Sequence, residues 1–234
     1  MDLWAGTSGY SYAEWKGGFY PEDLPAKDML QFYAGRLGSV EINNTFYRMP
    51  KRAVLTTWGE QVPNGFRFAI KASRRITHIK RLKEAGDECG FLFGNLEVLG
   101  DKLGVVLFQL PPYLRKDLPR LEAFLPLVPV GIRAAFEFRH ASWYETDAAE
   151  MIAAHGAAYV VSDTGDDSDA PLLDHAPFGY LRLRKAEYTD DDLREWSARI
   201  RDTSWADAFV YFKHEEDCAG PGLAERFVEL HGGA

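Results

Sequence analysis

The chain has 234 residues, 46% of them hydrophobic and 26% charged, with a formal net charge of −8. That length suits one large domain with a substantial core, and the acidic balance excludes a general attraction to nucleic acid or to anionic membranes, leaving only a local basic pocket for such partners. No stretch approaches the roughly 20 consecutive apolar residues of a bilayer span, and Cys89 and Cys218 follow no metal or redox spacing.

The N-terminus, MDLWAGTSGY, runs straight into strand-like sequence without the pattern of a secretory leader. A single cytoplasmic domain spanning residues 1–234 is therefore expected. In chain order, short β-rich runs cover residues 3–7, 40–43, 66–71, 105–109, 134–139, 158–163, 180–184 and 209–213. Between them lie helical patterns. PAKDMLQFYAGRL carries a proline at its start and apolar residues at helical spacing. KRAVLTTWGEQV stops before Pro63, and ECGFLFGNLEVLG and LPRLEAFLPLV follow. TDAAEMIAAHG ends on Gly156 as a left-handed cap. DDDLREWSARI starts with Asp190 as N-cap and acids in the first turn, where they favour the helix dipole. GLAERFVEL closes the chain.

Eight strands alternating with helices predict parallel βαβ construction, and the number eight predicts an α/β fold closed into a single (β/α)8 TIM-like barrel. An open doubly wound sheet needs a glycine-rich phosphate turn after its first strand; GTSGYSYAEW runs into aromatic loop sequence instead. The stretch TGDDSDAPLLDHAPFG, too rich in Asp, Pro and Gly for a helix, predicts an irregular connection between strands six and seven.

Side chains alternate along a strand, and the helix-facing side of a barrel strand must be apolar. Val40 and Ile42 therefore turn Glu41 and Asn43 inward. Phe66, Phe68 and Ile70 do the same for Lys71, Val106 and Phe108 for Gln109, and Phe136 and Phe138 for Glu137 and Arg139. The same rule assigns Asp163 to the sixth strand's inner face, Arg182 and Arg184 to the seventh, Tyr211 and Lys213 to the eighth, and Thr7, more weakly, to the first. All lie toward C-terminal strand ends, where barrel enzymes keep their catalytic residues. Five inward cations against three inward carboxylates predict a locally positive mouth and a small anionic or phosphorylated ligand, since arginine forks bind paired oxygens in one plane. Gly220 and Gly222, ahead of the last helix, sit where barrels often bind phosphate on backbone N–H groups. Loop aromatics frame the same end: Trp15, Phe19 and Tyr20, then Phe46 and Tyr47, then Trp143 and Tyr144.

The assembled blocks GTSGYSYAEWKGGFYP, VEINNTFYRMP, FRFAIKASRRITHIKRL, LGDKLGVVLFQLPP, FEFRHASW and VYFKHEED resemble, in order and spacing, domain-of-unknown-function family 72, the YecE-like proteins. The resemblance implies a soluble TIM-like barrel and no particular reaction. It matches the family pattern at Glu41, Asn43, Lys71, His78, Gln109, Glu137, Arg139, His140, Trp143 and Asp163. Two departures make this chain more basic: LRLRK stands where many members resemble RLHG, and YFKHEED where many resemble YFNND.

The chemistry expected is hydrolase- or lyase-like acid–base work. Glu41, Lys71, Glu137 and Asp163 are the catalytic candidates, the two glutamates splitting into acid and base. Lys71 serves as an electrostatic clamp or, with a depressed pKa, as a Schiff-base nucleophile. Asn43, Tyr47, His78, Gln109, Arg139, His140, Trp143, Arg182, Arg184, Tyr211 and Lys213 are the substrate-binding candidates. No cofactor is expected. A divalent metal is the weaker alternative, with donors on Glu41, Glu137, Asp163, His78, His140 and His214 but no local ligand motif. A nucleic-acid-processing barrel is a second alternative, because Lys71, Arg74, Arg75, His78, Lys80, Arg81 and Lys83 crowd one segment; a non-catalytic ligand-binding barrel is the third.

Overall fold

Eight parallel strands close on one another in chain order, β1 pairing with β8 to seal the barrel. The computed structural model describes residues 1–166, 170–213 and 218–232. The strands are β1 (Asp2–Ser8), β2 (Ser39–Ile42), β3 (Arg67–Lys71), β4 (Leu103–Gln109), β5 (Ala134–Glu137), β6 (Ala158–Asp163), β7 (Phe178–Leu183) and β8 (Asp207–Phe212). Outside them run α1 (Met29–Ala34), α2 (Arg52–Gln61), α3 (Gly86–Leu96), α4 (Leu118–Phe124), α5 (Thr146–Ala153), α6 (Asp190–Arg201) and α7 (Ala219–Gly232). No helix links β6 to β7 among the described residues, where Asp, Pro and Gly dominate the sequence.

The core has two compartments, because a barrel buries both faces of every strand. Between strands and helices lie Val40, Ile42, Phe68, Ile70, Val106, Phe108, Phe136, Phe138, Leu181 and Leu183. Inside the barrel a smaller cluster holds Ala69, Val105, Leu107, Ala135, Val160, Phe178, Tyr180, Phe209 and Tyr211. Bulky Phe178, Phe209, Tyr180 and Tyr211 face small Ala69, Ala135 and Ala158, so the interior fills without a pore. At the β1–β2 seam a Cβ on Gly6 would overlap the Ser39 carbonyl, so only glycine fits there.

The local signals explain the helix ends. Gly156 takes φ +70° after α5, the left-handed cap its sequence requires. The cap of α6 differs by one residue from expectation. Thr189, not Asp190, accepts the Asp192 N–H, and the Asp192 carboxylate accepts the Thr189 N–H, forming a capping box. Gly220 and Gly222 fall within the first turn of α7 instead of in a loop ahead of it.

No helix among the described residues is long and apolar enough to cross a membrane.

Candidate functional site

The barrel interior turns polar at one level, and the strand register says why. Ser8 lies beside Glu41, Gln109 beside Glu137, and Ser162 beside Arg182. Two residues further down, Ala69, Leu107, Ala135, Val160 and Tyr180 fill the interior, so the charged residues form a single layer near the C-terminal mouth.

Arg182 is the centre of that layer. Its Nε and one terminal nitrogen donate to the two oxygens of Glu41, both at 2.9 Å, and the other terminal nitrogen donates to Glu137 Oε2 at 2.7 Å. Glu41 further accepts from Ser8 Oγ at 2.7 Å, Asn43 Nδ2 at 2.9 Å and Tyr180 Oη at 2.7 Å. Glu137 accepts from Gln109 Nε2 at 2.9 Å and from Arg184 at 3.3 Å. Glu41, Glu137 and Arg182 are at most 2% exposed. Burial alone pushes the Glu41 carboxyl up, but the Arg182 charge and the hydrogen bonds from Arg182, Ser8 and Tyr180 outweigh it and bring the pKa down to about 2. Burial likewise opposes ionisation of Glu137; Arg182, Arg184 and the Gln109 hydrogen bond prevail, and its pKa falls below the usual range. Both carboxylates are ionised and paired, and Glu41 is filled with donors on both oxygens. Neither has a proton to give, and neither keeps the basicity a general base needs near neutral pH.

Above this layer opens a cavity of about 450 Å³ lined by Asn43, Tyr47, Lys71, Gln109, Arg139, Arg182, Arg184 and Lys213, together with Tyr12, Asn44 and Phe46. A second cleft of about 280 Å³ continues from it past Tyr12, Asn43 and Asn44 toward Tyr10, Pro50 and Trp58. Lys71 ends β3, its carbonyl accepting from Thr45 Oγ1 and its Nζ standing 4.6 Å from the centre of the Phe46 ring. Burial first, then the Arg182 charge, lowers the Lys71 pKa to about 8; Glu41 and Glu137 pull it back up and Lys213 lowers it again. Two buried polar atoms on the cavity lining, Asn43 Oδ1 and Arg184 Nε, have no hydrogen-bond partner among the described residues. Arg139 and Lys213 are exposed at the rim.

Several sequence expectations change here. Asp163 points outward, sharing its face with Val161 and Tyr159 in the helix-side core, and accepts hydrogen bonds from Tyr188 at 2.8 Å and Trp196 at 3.0 Å. The inward residue of β6 is Ser162, which bonds Arg184. Thr7 also faces the helices, bonded to Tyr33 of α1, and Ser8 takes the inward place. In both strands apolar residues occupy both faces, so parity has no polar–apolar contrast to fix it. Among the described residues the mouth consequently opposes five cations with two carboxylates, not three. Trp143 is 1% exposed, stacked on Phe138 and donating to the Leu114 carbonyl, so it builds the loop and leaves the pocket alone. Trp15, Phe19 and Tyr20 are likewise buried against one another. Tyr211 points inward but below the polar layer, its hydroxyl 2.6 Å from Ser39 Oγ.

His140 caps the turn after β5 by accepting the Ser142 N–H at 3.1 Å. His78 packs edge-to-face on Phe46; burial, Lys71 and Arg139 lower its pKa. His214 lies outside the described residues. Among the described residues, no three His, Cys, Asp or Glu side chains come together as a metal cluster. The basic segment after β3 is partly neutralised from α3, where Glu88 takes Lys80 at 2.7 Å and Arg75 at 3.5 Å.

Sequence reasoning missed Ser8, Ser162 and Tyr180. Tyr180 was within reach, because it lies two residues before Arg182 on the same strand face.

Residues 4–234 match the family described as "Protein of unknown function DUF72". UPF0759 protein YecE of Escherichia coli is 31% identical over 116 residues, 49% of this chain and 43% of that protein. UPF0759 protein YunF of Bacillus subtilis is 27% identical over 133 residues, 53% of this chain and 47% of that protein. The chain thus matches less than half the length of either relative. A DUF72 family protein of Thermotoga maritima, solved by crystallography, superposes with a TM-score of 0.86 at 23% identity, covering 98% of this chain and 99% of that one. That likeness shows the barrel fold.

Proposed function

The chain belongs to the DUF72 family, and we propose that within it this barrel is an enzyme that takes a small phosphorylated or carboxylated substrate at its C-terminal mouth. One observation carries the reading. The cavity wall carries five cations, Lys71, Arg139, Arg182, Arg184 and Lys213, and among the described residues only Glu41 and Glu137 lie against them, both taken by Arg182 with Arg184 also on Glu137. An anion entering there meets uncompensated positive charge, and arginine side chains suited to planar two-oxygen groups. Arg184 Nε, without an acceptor among the described residues, adds a donor whose burial unpaired costs about 1–3 kcal/mol.

Acid–base chemistry in this pocket falls to Lys71 instead of the glutamate pair. Its pKa of about 8 lets it hold or release a proton near neutral pH. Glu41 and Glu137 act from below as fixed charges that orient Arg182.

Sulfate tests the reading because its charge is constant across the relevant pH range. Saturating sulfate is expected to raise the melting temperature of the protein, and the Arg139→Ala/Lys213→Ala double variant to lose at least about tenfold in sulfate affinity while keeping its own melting temperature. The effect should weaken as pH rises through about 8, where Lys71 discharges. An equal sulfate response in the double variant would remove the anion site.

A further inference from the structure

We propose that Lys71 is a covalent nucleophile that forms a protonated imine with an aldehyde or ketone group on the anionic substrate. This rests on the anion-binding reading above and narrows its substrate class to small phosphorylated or carboxylated carbonyl compounds.

The geometry separates Lys71 from the other cations of the site. Arg182 is locked to two carboxylates and Arg184 is tied to Glu137 and Ser162. Lys71 Nζ makes no ion pair with any carboxylate among the described residues, although it lines the same cavity, and its support is the face of Phe46. An aromatic face holds the ammonium without offering it a proton acceptor. The backbone beneath is fixed on both sides, with Thr45 donating to the Lys71 carbonyl at 2.7 Å and the Ala72 N–H donating to Leu107 at 2.8 Å. The amine therefore stands at a strand end, on a rigid element, half-buried and facing guanidinium groups. Desolvation beside other cations is the arrangement that activates a lysine amine as a nucleophile, and the depressed pKa agrees with it.

The step balances without an added redox partner. The neutral amine adds to the carbonyl carbon, forming the C–N bond as the carbonyl π pair moves to oxygen. That oxygen gains protons, one of them from the amine, and leaves as water. The nitrogen lone pair then closes the C=N bond, and the product is a cationic imine, one water having been lost and one proton taken up from solvent. Arg139 and Lys213 hold the anionic end of the substrate at the rim, which sets the carbonyl over Nζ. The cationic imine draws electrons from an adjacent C–H or C–C bond, which is the activation a lyase needs.

Pyridoxal 5′-phosphate is the probe, as a phosphorylated aldehyde, with pyridoxal as its uncharged counterpart. The full chain is incubated with each, reduced with borohydride, digested and mapped by mass spectrometry. The expected result is a reduced adduct on Lys71 ahead of all other lysines, suppressed by sulfate, at least about tenfold weaker with pyridoxal, and growing as pH rises toward about 8. Lys71→Arg should keep the sulfate-induced rise in melting temperature and lose the adduct. Labelling scattered over surface lysines with Lys71 unmodified, while sulfate still stabilises the protein, overturns the nucleophile and leaves the anion site standing. Equal labelling of Lys71 by pyridoxal overturns the anionic substrate class, and absence of any sulfate response overturns the reading on which both rest.

Discussion

The floor of the pocket and its rim are built from the same residue types and do opposite things. In the floor, Arg182 commits all three guanidinium nitrogens to Glu41 and Glu137, Glu41 takes further donors from Ser8, Asn43 and Tyr180, and Glu137 takes one from Gln109. At the rim, Arg139 and Lys213 stand exposed, and half-buried Lys71 has an aromatic ring in place of a counter-charge. A buried charge with all its partners is architecture, because removing it strands the others. A charge left without partners at a cavity wall is available to a ligand. Charge alone does not mark the site; unspent charge does.

The largest expected effect breaks the floor. Arg182→Ala takes from buried Glu41 the one cation that pairs it among the described residues and leaves Glu137 with Arg184 alone, and should cost about 3–5 kcal/mol of stability, a large part of a typical domain's total. Denaturant unfolding measures it. A loss below about 1 kcal/mol would place Arg182 with the solvated rim cations.

Acid probes the same floor with a smaller loss. The folded pKa of Glu41, about 2, lies below the usual 4.5, so its contribution is complete above about pH 4.5 and disappears as pH falls toward 2. Glu137 shifts in the same direction. The loss from Glu41 is on the order of 3 kcal/mol. Unfolding curves across that window should slope steeply for the natural chain and less for Glu41→Gln. Identical slopes would show that Glu41 titrates as it does in the unfolded chain.

The smallest effect has the opposite sign and belongs to the rim. Lys71 is held near pKa 8 against its usual 10.5, so keeping it charged in the fold costs stability below about pH 8, and the cost fades as pH climbs toward 10.5. Lys71→Met keeps the stem and drops the charge. It should stabilise the protein by about 1 kcal/mol at neutral pH and by nothing above pH 10.5, both read from denaturant midpoints. Destabilisation at pH 7 would move Lys71 into the paired floor.

Much of this was readable from the chain. Strand parity identified Glu41, Gln109, Glu137, Arg182 and Arg184 as inward residues, because Val40, Ile42, Val106, Phe108, Phe136, Phe138, Leu181 and Leu183 need the helix side. It failed at β1 and β6, where LWAGTS and AYVVSD carry apolar residues on both faces and alternation has nothing to contrast. Asp163 and Thr7 were misplaced for that one reason. Parity placed Tyr211 inward, as observed, but does not say that its hydroxyl turns to Ser39; Trp143 was assigned by its place after the fifth strand, and place does not say whether an aromatic ring turns toward the cavity or into a packed layer.

The sequence by itself determined the eight-stranded barrel, the lack of a helix among the described residues between β6 and β7, and the end at which charge collects. These are properties of periodicity and local composition, which each segment carries alone. Only the tertiary structure decided which charges cancel. Arg182 and Glu41 are 141 positions apart, and their pairing exists because closure brings β7 and β2 across one interior layer. The same closure leaves Lys71 beside Phe46 without a carboxylate among the described residues. An ion pair saves its charges the cost of burial only when both partners arrive at the same place, and that place is set by the barrel as a whole.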